Sequence, residues 1–194
     1  ITSAYAWKGM GLLWRARTST RVVHRVKSIA AEGDGRLTSV RFKRGSAVET
    51  IAADLLLLHQ GVVPQVNLTM AAGARHVWSA TRLAYEPERD DLGRTSVPGL
   101  FIAGDTGGIG GAQTAEAEGA LAAIGAIRSF GATGDGLDAA EQQWRGMKAR
   151  ALVGRDFLDA LYRPTASHMV PADDVVVCRC EEVTAGEIRE AVRR

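Results

Sequence analysis

Two short strings carry the residues with chemistry to offer. The first is Cys178-Arg179-Cys180, which holds both cysteines of the 194-residue chain. Thiols this close can be two inert side chains, a redox pair, or half of a metal site, since thiolate coordination of zinc or iron–sulfur normally takes four ligands. Thr184 and Glu187 form a capping-box pattern just downstream. The pair is therefore expected in the loop before a helix, whose positive end favours thiolate. The second string is Gly104-Asp105, closing the apolar run Leu100-Phe101-Ile102-Ala103. Such a run reads as a strand covered on both faces, and ligands of open α/β sheets bind beyond the carboxyl ends of such strands. Gly107, Gly108, Gly110 and Gly111 follow. They allow close backbone approach and offer free N–H groups, and the next helix presents its N-terminus to an electron-rich partner.

The elements that must hold these strings are legible in outline. A helix of small residues is predicted over Ala112–Ile127, with Ala112, Ala115, Gly119, Ala122 and Ala126 on one face. Glycine costs roughly 1 kcal/mol relative to alanine inside a helix, so Gly119 is read as a close-packing residue. Glu116 and Glu118 read as solvated. Upstream, residues 20–61 read as a β-meander. It runs through Val22–Ile29, a turn at Glu32–Gly35, Leu37–Lys43 with Val40 and Phe42 on one face, a turn at Arg44–Ser46, and Val48–Ile51. Leu55–Leu58 and His59-Gln60-Gly61 then read as a buried strand ending in glycine. Downstream, Gly131–Gly136 is a linker. Asp138 with Glu141 resembles a capping box for a helix whose apolar side carries Trp144, Met147, Ala151, Leu158 and Leu161, and which Pro164 ends. A connector over 165–177 finishes in the strand-like Val175–Val177, and a last helix starts near Ala185.

Bulk properties exclude several classes. The composition, 46% hydrophobic and 24% charged, is that of a soluble globular protein. A net charge of +2 gives no polyanion signal, and Arg15, Arg17 and Arg21 read as a solvated edge rather than a nucleic-acid surface. No apolar run approaches a membrane span, no signal peptide is visible, and two cysteines make no disulfide framework. A cytoplasmic location is the expectation. Ile1–Leu13 lacks cap or turn logic and the last helix lacks a C-cap glycine, so the chain reads as a fragment of a longer polypeptide. His24, His59, His76 and His168 are scattered, and no Ser/His/Asp or paired-carboxylate arrangement competes for catalysis.

Thr95–Asp105 with the glycine run and helix resembles the second FAD-binding motif of two-dinucleotide-domain flavoproteins. That resemblance implies that Asp105 accepts a hydrogen bond from a ribityl hydroxyl. It also implies that Gly104, Gly111, Ala112 and Gln113 line the flavin. The meander, the Asp54-led strand and Gly61-Val62-Val63-Pro64 are similar to the end of the NAD(P)-binding domain of the same superfamily, with Gln65 where many relatives have asparagine. Val177–Ile188, around Cys178-Arg179-Cys180-Glu181-Glu182, resembles the opening of the bacterioferritin-associated-ferredoxin-like (BFD-like) [2Fe–2S] domain. In that family a second cysteine pair follows some thirty residues later. Together with Leu57–Pro64 and Phe157–Pro164, these strings resemble the α-type subunits of heteromeric amino-acid dehydrogenases: opine oxidase, D-hydroxyproline and proline dehydrogenases, and hydrogen cyanide synthase. The implied fold is α/β, glutathione-reductase-like, in its C-terminal part. Residues 1–64 would end the NAD(P)-binding domain, 65–130 would belong to the FAD-binding domain, 131–172 would be a helical linker, and 173–194 would begin the [2Fe–2S] domain. The implied cofactors are FAD and a [2Fe–2S] cluster liganded by Cys178 and Cys180. NAD(P) stays open, because no Gly-x-Gly-x-x-Gly opens a βαβ unit here. The implied partners are a catalytic β subunit and the remainder of the parent chain. A different reading is a non-catalytic assembly module with incomplete cofactor sites that docks to a β subunit. Separately, the helical segment from Asp138 to Pro164, with Trp144, Phe157, Leu158, Leu161 and Tyr162, is expected either to form an interface of a heteromeric complex or to lie back on the FAD domain.

Overall fold

The computed structural model describes residues 4–59, 61–165 and 169–194; Gln60 and His168 lie outside them. Among the described residues the architecture is mixed α/β with small sheets, one of three strands and two of two. The chain divides into two compact units, Ile1–His59 and Gln60–Arg194. Among the described residues no helix is long and apolar enough to cross a membrane.

The first unit opens with helix α1, Ala4–Ser19, which the sequence pattern does not signal. Its Trp7, Leu12, Leu13 and Trp14 are exposed. An antiparallel meander follows: β1 (Val26–Glu32), β2 (Ser39–Arg44) and β3 (Ala47–Ala52). Val40 pairs with Ala31 and Ile51, and Phe42 with Ile29 and Glu49. Val40 and Phe42 are buried while the alternate residues Arg41 and Lys43 are exposed, the alternation that period-2 geometry demands. Gly45, at φ +63°, makes the tight β2–β3 turn that side chains with a Cβ resist. β1 starts four residues later than expected, because Arg25 sits at φ +60° and kinks the chain just ahead of it. The expected strand at Leu55–Leu58 does not form, and Leu55 and Leu57 are 73% and 82% exposed. An apolar run becomes a buried strand only when neighbours cover both faces, and no described strand pairs with this one.

The second unit contains α2 (Asn67–Ala71) and the hairpin β4 (His76–Ser79) with β5 (Ala84–Pro87). Its helices are α3 (Ala112–Ser129), α4 (Asp135–Ala151) and α5 (Arg155–Leu161). It ends with a bulged pair β6 (Val176–Cys178) and β7 (Val183–Thr184), then α6 (Ala185–Arg193). Leu92, Leu121 and Ile124 form the core, with Leu137, Ala140 and Trp144 of α4 packed on it. Trp144 is thus a packing residue, whereas Phe157, Leu161 and Tyr162 stay exposed. Asp90 accepts N–H bonds from Leu92 and Arg94, closing an Asx-type turn. Leu100–Ala103 is not a sheet strand. A lone Arg94–Phe101 bridge and the Ile102 N–H bond to the Gly93 carbonyl hold it.

Three expectations about the helices are corrected. The buried face of α3 is Thr114, Ala117, Glu118, Leu121, Ala122, Ile124 and Gly125. Gly119 is exposed and a Cβ there would touch nothing within 4 Å, while one at Gly125 would lie 3.0 Å from Leu92 and Phe101. Close packing therefore belongs to Gly125, six residues along. Second, α4 begins at Asp135 behind Gly134 with no side-chain cap. Asp138 and Glu141 instead hold Arg128 of α3, at 2.5 and 2.8 Å. Third, the single helix expected up to Pro164 is broken at Gly154, which adopts φ +82° and separates α4 from α5. The capping box at α6 is present as expected, Thr184 and Glu187 bonding reciprocally.

Candidate functional site

Gly104–Gly107 forms one 3₁₀ turn immediately before the glycine loop and α3. Gly104 takes φ +69°, and Asp105 presents an exposed carboxylate with no partner among the described residues. Gly111 is the N-cap of α3 and provides no side-chain cap, so the first-turn N–H groups have no acceptor of their own. Ala112 and Gln113 stand on that first turn, both exposed. The structure thus brings Gly104, Asp105, Gly111, Ala112 and Gln113 to the two ends of one glycine loop, with an acid at one end and a helix N-terminus at the other. The carboxylate accepts hydroxyl donors, and the helix end accepts an electron-rich edge.

The main residue missed from sequence is Glu118. It is 5% exposed. Its Oε2 accepts the Gly104 N–H at 3.0 Å, while its Oε1 meets Arg89 Nη2 at 2.8 Å and Lys148 Nζ at 3.1 Å. Burial alone would raise its pKa, but the hydrogen bonds and charges of Arg89 and Lys148 outweigh this and hold the carboxyl below its usual range. Glu118 therefore fixes the backbone beside Asp105 and ties it to the loop before Thr95 and to α4. A helical i, i+4 count from Thr114, or i, i+3 to Leu121, would have put Glu118 on the buried face.

A second network lies nearby. Arg82 meets Glu86 at 2.7 Å and Asp159 at 2.8 Å, and Arg155 meets Asp159 at 2.5 Å. Burial raises the Asp159 pKa, and the bonds from Arg155 and Arg82 bring it net below the usual range. The glycine loop packs against Arg89, for a Cβ on Gly107 would fall 2.5 Å from Arg89 Cζ. Between the loop, the β4–β5 hairpin and the end of α4 is a cavity of about 380 Å³.

Cys178 ends β6, half-buried, and Cys180 lies exposed in the following turn. Glu182 at φ +54° closes that turn, and Thr184 caps α6 two residues later. The pair thus stands before a capped helix N-terminus. Among the described residues no group of three or more His, Cys, Asp or Glu side chains is placed to hold a metal ion. The 194 residues hold two cysteines, half of the four ligands that thiolate-bound zinc or iron–sulfur normally takes.

The known proteins to which the chain is similar are named as subunits of opine oxidase and of hydrogen cyanide synthase. Over 194 residues the chain is 43% identical to the A subunit of opine oxidase from Rhizobium meliloti, covering 99% of this chain and 37% of that protein. It is 41% identical to the A subunit of opine oxidase from Agrobacterium tumefaciens, over 99% of this chain and 39% of that protein. It is 29% identical over 154 residues to the HcnB subunit of hydrogen cyanide synthase from Pseudomonas protegens, covering 74% of this chain and 31% of that protein. The chain therefore spans 37–41% of the length of the opine oxidase A subunits it matches. These relatives are subunits, which implies further subunits beside them. No family model and no solved structure matches the chain.

Proposed function

We propose that this chain is part of an electron-transferring flavoprotein subunit of a cytoplasmic amine or amino-acid dehydrogenase. Opine, proline, hydroxyproline and glycine are the candidate substrates. The observation that carries the reading is the 43% identity to an opine oxidase A subunit across 99% of the chain. It coincides with an exposed acid and an uncapped helix N-terminus at the two ends of one glycine loop. A bound flavin supplies electron transfer in one- or two-electron steps, and the loop fits its central part. Asp105 accepts from a ribityl hydroxyl. Gly104 and Gly111 admit the backbone to van der Waals contact. The N–H groups of Ala112 and Gln113 would offer the positive helix end to the electron-rich edge of the ring.

In this reading residues 1–64 end an NAD(P)-binding domain and 65–130 belong to an FAD-binding domain. Residues 131–172 form the linker and 173–194 open a BFD-like [2Fe–2S] domain. Cys178 and Cys180 furnish two cluster ligands, and the other two come from outside these 194 residues. FAD and the cluster would supply electron transfer to a partner, and the substrate would be oxidised on a catalytic β subunit. The exposed Phe157, Leu161 and Tyr162 favour one other reading, an assembly module that docks to that subunit without cofactor of its own.

A visible spectrum of the purified protein separates the two. Bands at about 370 and about 450 nm, expected of any bound flavin, support the first; a colourless protein supports the second. In a flavin-containing preparation Asp105→Ala lowers flavin occupancy while far-UV circular dichroism is unchanged. Full flavin content in that variant overturns the assignment of Asp105.

A further inference from the structure

Lys148 stands on the packed face of α4. Leu137, Ala140, Trp144 and Lys148 fall three and four residues apart, and the buried Ala151 continues the row. The first three pack on Leu92, Leu121 and Ile124. An ammonium in such a row is costly unless it is paired. Its partner is Glu118, whose Oε1 lies 3.1 Å from Lys148 Nζ. Arg89 Nη2 reaches the same oxygen at 2.8 Å, while Oε2 accepts the Gly104 N–H at 3.0 Å. The carboxylate is thus divided. Two cations on one oxygen fix its rotation and leave the other for the backbone. Gly104 opens the 3₁₀ turn that carries Asp105, and the first N–H groups of a helical turn have no acceptor within it. Glu118 supplies that acceptor from 14 residues away. The other ionic contacts of α4 seat the helix without touching the turn: Arg145 bonds Asp91 at 2.8 Å and Glu141 at 2.7 Å, and Arg128 holds Asp138 and Glu141.

We propose that Lys148 is a positioning residue for the flavin: acting through Glu118, it sets the Gly104–Asp105 turn, so the first helix of the linker segment also supports the flavin site. The proposal rests on the assignment of Asp105 to a ribityl hydroxyl. A binding side chain must be held close to its productive geometry by the groups behind it. Asp105 is exposed, so its placement comes from its backbone. That backbone is held at Gly104, by the bond to Glu118 and by α3, for a Cβ on Gly104 would come 3.4 Å from Ala115 Cβ. Without Lys148, Arg89 alone orients the carboxylate. The turn then gains freedom that flavin binding must remove, and affinity falls by that ordering cost.

The test uses the complete subunit, stripped of flavin and titrated with FAD by fluorescence at a temperature below the Tm of every variant. Lys148→Met should weaken FAD binding about fivefold, the loss expected for one partly exposed ion pair, and Lys148→Arg should restore it. Arg145→Met loosens α4 without touching Glu118, so it should lower Tm and leave FAD affinity unchanged. Hydrogen exchange over residues 101–107 in the flavin-free subunit reads the turn itself; it should quicken in Lys148→Met and not in Arg145→Met. Unchanged FAD affinity in Lys148→Met, or an equal loss in Arg145→Met, overturns the proposal alone. A subunit that takes up no FAD, or that binds it equally well with Asp105→Ala, overturns the assignment of Asp105 and the proposal with it.

Discussion

Replacing Glu118 by glutamine removes one negative charge and keeps the shape. Three donors converge on that carboxylate: the Gly104 N–H at 3.0 Å, Arg89 at 2.8 Å and Lys148 at 3.1 Å. An amide can accept through one oxygen only, so at least one donor loses its partner. Breaking a fully buried pair costs about 3–5 kcal/mol. Here the Arg89 and Lys148 side chains retain 17% and 23% exposure, so water recovers part of the loss, and about 2–3 kcal/mol is expected. For a chain of this size that corresponds to a fall of roughly 5–10 °C in Tm. The pH dependence has a definite sign. The folded-state carboxyl is held below its ordinary value of 4.5. Its contribution is complete above that value and is lost as pH falls through the depressed folded pKa. The gap between wild type and Glu118→Gln in differential scanning calorimetry should be widest near neutrality and narrow on acidification toward about pH 4 and below. A gap under about 1 °C at neutral pH, or one that does not shrink in acid, refutes the clamp.

Gly125→Ala should destabilise by about 1–3 kcal/mol through overpacking against Leu92 and Phe101, whereas Gly119→Ala should be neutral or stabilising by up to about 1 kcal/mol. Urea denaturation of the two variants reads this contrast, and equal effects would contradict the buried-face assignment. Replacing Cys178 and Cys180 together by serine in the complete protein should abolish bound iron and acid-labile sulfide; unchanged iron content would remove them from the cluster.

The features written in local chemistry were legible from sequence. α3 and α6 begin where their glycine and Thr-x-x-Glu signals put them, and Val40 and Phe42 bury as alternation requires. What escaped depends on partners distant in sequence. Glu118 looks solvated beside Glu116 until Arg89, 29 residues away, and Lys148 close over it. Asp138 and Glu141 carry a capping pattern, yet Arg128 offers a charged partner that competes for both. Leu55–Leu58 has strand composition, but composition does not supply the neighbouring strands that would cover it. The break at Gly154 was readable in principle, since a glycine at φ +82° interrupts the α4–α5 run.

The cysteine turn is fastened by bonds that all close within a short span of chain. Val175 donates to the Ala172 carbonyl, Ala185 to that of Val175 and Gly186 to that of Asp173. Arg189 reaches both Asp173 and the Pro171 carbonyl. The longest of these loops separates its ends by 18 residues, so closing them forfeits little chain entropy, and low contact order makes for rapid assembly. The thiol-bearing turn therefore has its geometry set before any distant segment arrives. Whatever takes both sulfurs meets a half-site already ordered, and the entropy of arranging it has been spent in folding rather than subtracted from affinity.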